Sequence, residues 1–128
     1  MYRKYIDIQT ERKPGPFNGT GEIVVRSLLE GPAEMYHKGR VFAHTTVYPG
    51  SAIGYHIHDN ESETYYILSG SGRYNDNGTI LAFKQGDVLF CGDGQGHGIE
   101  ALDEPVEMIA LILYHREKNV QEQDRKGE

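Results

Sequence analysis

Short runs rich in β-branched and aromatic residues recur along this chain at close intervals, each closed by glycine, proline or asparagine. They cover 23–29, 40–48, 52–58, 64–68, 79–83, 88–91 and 106–114. Such spacing predicts an all-β sandwich or barrel, because alternating β and α units need longer helical stretches between strands. Asn75-Asp76-Asn77-Gly78 reads as a tight hairpin turn. Several runs are apolar on both alternating sets, as in Tyr65-Tyr66-Ile67-Leu68 and Met108-Ile109-Ala110-Leu111-Ile112-Leu113, so both of their faces need cover. A barrel interior covers one face, and a second subunit covers the other; a homodimer is therefore expected.

The 128 residues suffice for one core, not two. Residues 1–20, broken by Lys13-Pro14-Gly15-Pro16 and Asn18-Gly19-Thr20, read as an N-terminal arm with room for a short strand around 5–8; 21–115 read as the barrel and 116–128 as a polar tail. A net charge of −6 gives no electrostatic reason to approach a polyanion, so neither nucleic acid nor an anionic membrane is an expected partner. The single cysteine, Cys91, rules out an internal disulfide and fits a reducing, cytoplasmic setting. It ends an apolar run, which favours a small buried residue over a nucleophile.

His56 and His58 stand two apart in a run with strand character, which places both imidazoles on one face. Glu63 follows a polar turn, Asp59-Asn60-Glu61-Ser62, that can fold the next strand back and bring a carboxylate to the same face. His97 lies in a glycine-dense stretch, 92–98, read as a loop able to approach a neighbouring strand closely. Three imidazoles and a carboxylate suit one divalent transition metal per chain, whether manganese, iron, nickel or zinc, and leave up to two open positions on a six-coordinate ion. A His-x-His pair alone is weak evidence; its surroundings matter.

Those surroundings, Gly50-(x5)-His56-Ile57-His58-(x4)-Glu63-(x6)-Gly70, resemble the first signature motif of the cupin family at every defined position. Residues 86–97, from Gly86-Asp87 to His97, resemble the second, with Gly92 where proline is usual and Ala101 where asparagine often closes it. The resemblance implies a double-stranded β-helix, a jelly-roll barrel, with His56, His58, Glu63 and His97 as metal ligands. It is nearest to small metal-binding cupins similar to one half of oxalate decarboxylases. Cupins span decarboxylases, dioxygenases, isomerases and non-catalytic binding modules, so the implied function is either a metal-dependent enzyme on a small carboxylate or sugar-derived molecule, or a module that binds such a ligand.

Two further residues are candidates for catalysis. Tyr65, two after Glu63, shares its face and either orients a substrate oxygen or packs in the core. His44, alternating with Phe42 and Thr46, either transfers a proton near the metal or is structural. Asp59 and Glu61, in the turn, read as water-facing, as do His37 and His115 beside basic residues. Gly70-Ser71-Gly72 is a turn, with no helix after it to bind phosphate.

Overall fold

The structure, a computed structural model, describes residues 1–116; the expected polar tail therefore lies, beyond Arg116, outside the described residues. Strands run β1 (Gln9–Pro14), β2 (Glu22–Leu29), β3 (Gly39–Val47), β4 (Ala52–Ile57), β5 (Glu61–Ser69), β6 (Gly72–Asp76), β7 (Thr79–Phe83), β8 (Val88–Cys91), β9 (Gly96–Ala101) and β10 (Val106–Tyr114). One sheet has the order β1-β2-β3-β10-β5-β8 and the other β4-β9-β6-β7. Every pairing is antiparallel. The two sheets face each other as a double-stranded β-helix barrel, and among the described residues the only helical segments are single 3-10 turns.

Alternation decides what fills the barrel. On β10, Val106, Met108, Ala110 and Ile112 point inward and are buried, and the core continues through Val47, Tyr65, Ile67, Tyr74 and Ile99. The opposite set, Ile109 and Leu111, faces outward beside Tyr66 and Thr64 of β5. Asn77-Gly78 makes the expected hairpin between β6 and β7, with φ of 50° and 104°, values that suit a primed turn.

Three departures from the expected pattern have physical causes. The leading strand is at Gln9–Pro14 and not at 5–8, where Tyr5–Asp7 forms a 3-10 turn. β1 pairs only with β2 and is largely exposed, so its polar sequence carries no apolar signal. β6 was not expected because glycine, asparagine and aspartate dilute it around Tyr74. β9 had been read as a loop, yet it is a central strand whose glycines are steric: a Cβ on Gly96 would run into the Tyr55 ring lying across it from β4.

A second close approach fixes the arm. Residues Pro16–Asn18 form a turn against β4, and a Cβ on Gly54 would collide with the carbonyl oxygen of Phe17. The register of β4 against β9 also shifts between Ile53 and His56. This irregularity lets Ile53 and His56 both face inward although they are three apart. We expect Gly54→Ala to lift the Pro16–Asn18 turn and to cost about 1–3 kcal/mol by steric overpacking. Urea unfolding measures that cost, and an unchanged midpoint would show that the approach of the turn does not constrain β4.

Candidate metal centre

Pairing across the sheets brings the four motif residues together. His56 and His97 are direct partners across β4 and β9. Glu63 comes from β5 in the facing sheet, and His58 stands immediately after β4. One ligand atom from each of His56, His58, Glu63 and His97 lies within 4.8 Å of all the others. The closest approaches are His58 Nε2 to Glu63 Oε1 at 3.0 Å, His97 Nε2 to Glu63 Oε1 at 3.1 Å, and His58 Nε2 to His97 Nε2 at 3.2 Å. His56 Nε2 is 4.0 Å from the same carboxylate oxygen.

The outer nitrogen of each ring has its own partner, and this sets which nitrogen faces the centre. His56 Nδ1 donates to the Gly54 carbonyl at 2.8 Å, and that oxygen can only accept. His58 Nδ1 donates to Glu61 Oε2 at 2.6 Å. His97 Nδ1 lies 3.0 Å from the Tyr74 hydroxyl, which can accept its proton. Neutral rings with Nδ1 protonated turn the Nε2 lone pairs toward one another and toward Glu63. Four acceptors facing inward in a buried space repel unless a cation lies among them, so this donor set fits a divalent ion of the imidazole-and-carboxylate kind.

Glu61 was expected to face water and does not. It is 3 % exposed, and it accepts from His58 while Arg40 grips its other side, Nε to Oε1 at 2.9 Å and Nη2 to Oε2 at 2.8 Å. β5 begins at Glu61 itself, so Glu61, Glu63, Tyr65 and Ile67 form one inward row. Arg40 and Tyr74 were likewise missed. The alternation that found Tyr65 would have found Glu61 had the strand been started three residues earlier.

Tyr65 is 2 % exposed, stacks on His97 with ring centres 5.1 Å apart, and its hydroxyl lies 3.4 Å from Glu63 Oε1. Burial first, then the nearby Glu63 charge, push its phenol pKa well above the usual value, so it remains a neutral hydrogen-bond donor. His44 is not brought to the site. The inward residues of β3 are Ala43, Thr45 and Val47, whereas His44 lies on the outer face with Nε2 2.8 Å from Glu107, which also accepts from Thr46. Cys91 is buried, and burial raises its thiol pKa to about 11, as befits an inert packing residue. Asp59 and His115 are exposed; His115 contacts Asp93.

Residues 43–112 match the cupin domain family. The chain is a cupin. It is 40% identical over 108 residues to an oxalate-binding protein of Thermotoga maritima, covering 84% of this cupin and 88% of that protein. A crystal structure of a predicted oxalate decarboxylase from Thermotoga maritima superposes with a TM-score of 0.84 at 37% identity, over 89% of this cupin and 99% of that chain. KdgF from Halomonas sp., at 16% identity, shares the fold with a TM-score of 0.70 over 91% of this cupin and 96% of that chain.

Electrostatics at the centre differ from those of free histidines. Burial opposes charge on His58, but hydrogen bonds to Glu61 and Glu63 outweigh it and raise its pKa from 6.5 to about 9 when no cation competes. Burial likewise opposes ionisation of Glu61 and Glu63, yet Arg40 and His58 for the first, and His58 and His97 for the second, hold both at about 2. His56 is lowered, chiefly by burial. Protons therefore compete with a metal at His58 well above the ordinary imidazole range.

Two outcomes follow. His58 has a folded pKa above its unfolded value, so its contribution is complete below 6.5 and is lost as pH rises through about 9. Chelator-treated protein should thus melt at progressively lower temperature across that interval, while metal-loaded protein should not; parallel pH profiles for the two would contradict the assignment. Replacing Glu61 by Gln should weaken metal affinity about 10- to 100-fold through loss of the carboxylate that orients His58. Competition against a chromogenic chelator measures this, and unchanged affinity would separate Glu61 from the centre.

Proposed function

We propose that this cupin is a metal-dependent enzyme that takes a small carboxylate at a divalent ion held by His56, His58, Glu63 and His97. The observation that carries this reading is the inward convergence of these donors at the inner end of a cavity of about 610 Å3, which also exposes His56, His58, Glu63 and Tyr65 to a ligand. An ion bound there supplies Lewis acidity, polarising the oxygens of a coordinated carboxylate. The names that the Thermotoga maritima similarity carries, an oxalate-binding protein and a predicted oxalate decarboxylase, support a carboxylate over a sugar.

Within this reading the roles of the chain's residues follow from their surroundings. Glu61 and Gly54 keep His58 and His56 in the tautomer that presents Nε2. Tyr65 donates a hydrogen bond to a ligand oxygen and is too weak an acid to act as a base. His44, on the far side of β3, takes no part. A second reading, a binding module without turnover, draws on the name of the oxalate-binding relative. It draws also on the pocket itself: Tyr65 stays protonated and Glu61 is tied up by Arg40 and His58, so neither is placed to act as a base.

We also propose a homodimer, formed through the outer face of the six-stranded sheet. Tyr66, Leu68, Val88, Phe90 and Leu113 are exposed there, flanking Ile109 and Leu111, in a continuous apolar surface. The acidic balance of −6 supports a small-molecule partner and no nucleic acid or membrane, and the single buried thiol supports a cytoplasmic setting.

Purified protein should carry about one manganese, iron, nickel or zinc ion per chain; elemental analysis that finds none after supplementation with each would remove the proposal. Incubation of loaded protein with small carboxylates, followed by product analysis, then separates enzyme from binding module: binding without product favours the latter. Light scattering should report a dimer that Phe90→Glu converts to monomer, and a monomeric parent protein would reject the interface.

A further inference from the structure

The cavity is much larger than the smallest carboxylate ligands. Oxalate displaces roughly three waters, on the order of 100 Å3. The cavity measures about 610 Å3, in the range that accommodates ligands several times that size. The surplus space carries an apolar stripe. Outward from the candidate ligands the walls are Ile23, Val25, Val41, Met108, Ala110 and Ile112. Ser27, Glu30, Thr45 and Arg40, the last held by Glu61, also line the cavity, and at the mouth β1 turns Gln9, Glu11 and Lys13 toward it.

Charge points the same way. A divalent ion beside one carboxylate, Glu63, leaves a single positive charge at the inner end. The charge of Glu61 is matched by Arg40, whose guanidinium grips it from two nitrogens. Lys13 is at the mouth, 4.0 Å from Glu11. A monoanion neutralises the inner end, whereas a dianion leaves an uncompensated negative charge against aliphatic walls, which is unfavourable. Phe17 adds an aromatic surface at the rim: it stacks on His56 with ring centres 3.9 Å apart while remaining 59% exposed.

We propose that the physiological ligand is a monocarboxylate with a neighbouring keto or hydroxyl oxygen and an apolar body, a 2-oxo or 2-hydroxy acid with an aliphatic or aromatic side chain, in preference to oxalate. The carboxylate and its neighbouring oxygen address the ion, and the body lies along Val25, Val41, Met108 and Ala110 toward Phe17. This inference rests on the carboxylate-at-metal reading above and adds the part of the ligand that the ion does not touch. Enclosing such a side chain among aliphatic walls strengthens binding by about ten- to hundredfold.

The test is a calorimetric titration of manganese-loaded protein with oxalate, pyruvate, 4-methyl-2-oxopentanoate and phenylpyruvate. The expected order has the two acids with apolar bodies at least tenfold tighter than pyruvate and than oxalate. Val25→Phe, which fills the cavity away from the ion, should reduce the ratio of phenylpyruvate to pyruvate affinity about tenfold or more. Ala110→Leu provides a second filling of the same space should Val25→Phe fail to fold. Oxalate binding as tightly as the bulky acids would overturn this inference and leave the carboxylate reading standing. Absence of binding by all four acids to protein shown to hold its metal would overturn both.

Discussion

Several groups that only accept hydrogen bonds are folded against one another in a space from which water is largely excluded. With Nδ1 of each ring spent on an outer partner, three imidazole nitrogens and a carboxylate oxygen converge within 4.8 Å. The barrel can hold that arrangement only because something positive joins them, whether a proton on His58 or a metal ion. Much of the surrounding sequence serves this one requirement. Gly96 lets β9 lie close enough under Tyr55 for His97 to meet His56, and the irregular register of β4 turns His56 inward after Ile53. Glu61 and Arg40 form a neutral pair behind His58, so the outer carboxylate orients the ring without adding net charge.

The two ends of the cavity are built by different physical rules. At the inner end, position is set by hydrogen bonds between buried groups, where small displacements are costly because each partner would be left unpaired. Farther out, aliphatic side chains from β2, β3 and β10 set the shape, and these tolerate changes of volume more readily than changes of polarity. A site of this form separates the atoms that react from the atoms that select. Such a separation is one way in which a single barrel can host unrelated functions.

How much of this was legible in the sequence depended on whether the signal was local. His56, His58 and Glu63 fall within eight residues, and strand alternation is enough to place them together. His97 was legible by type and distance but was assigned to a loop, because the glycines that permit its strand to pack under Tyr55 look like breakers when read alone. Glu61 was hidden by its neighbours: a stretch of Asp, Asn, Glu and Ser reads as a solvated turn, although the strand already begins there. His44 shows the converse. Both alternating sets of β3 mix apolar and polar residues, and nothing in the chain itself states that Ala43, Thr45 and Val47 face in. Phe17 reaches His56 across a long sequence separation and through a left-handed turn at φ 57°, with no periodicity to announce it.

β1 is the outermost strand of its sheet, is bonded along one side only, and contributes Gln9, Glu11 and Lys13 to the cavity mouth. It contributes nothing to the core and none of the candidate ligands. Substitutions there alter the rim of the pocket at little expense to the fold, whereas substitutions in β4, β5 or β9 disturb the ion and the packing together. Divergence in ligand preference among chains of this architecture should therefore accumulate in the first strand while the inner residues stand still. The N-terminal segment, least distinctive when the sequence is read in isolation, is the part of this barrel most open to evolutionary retuning.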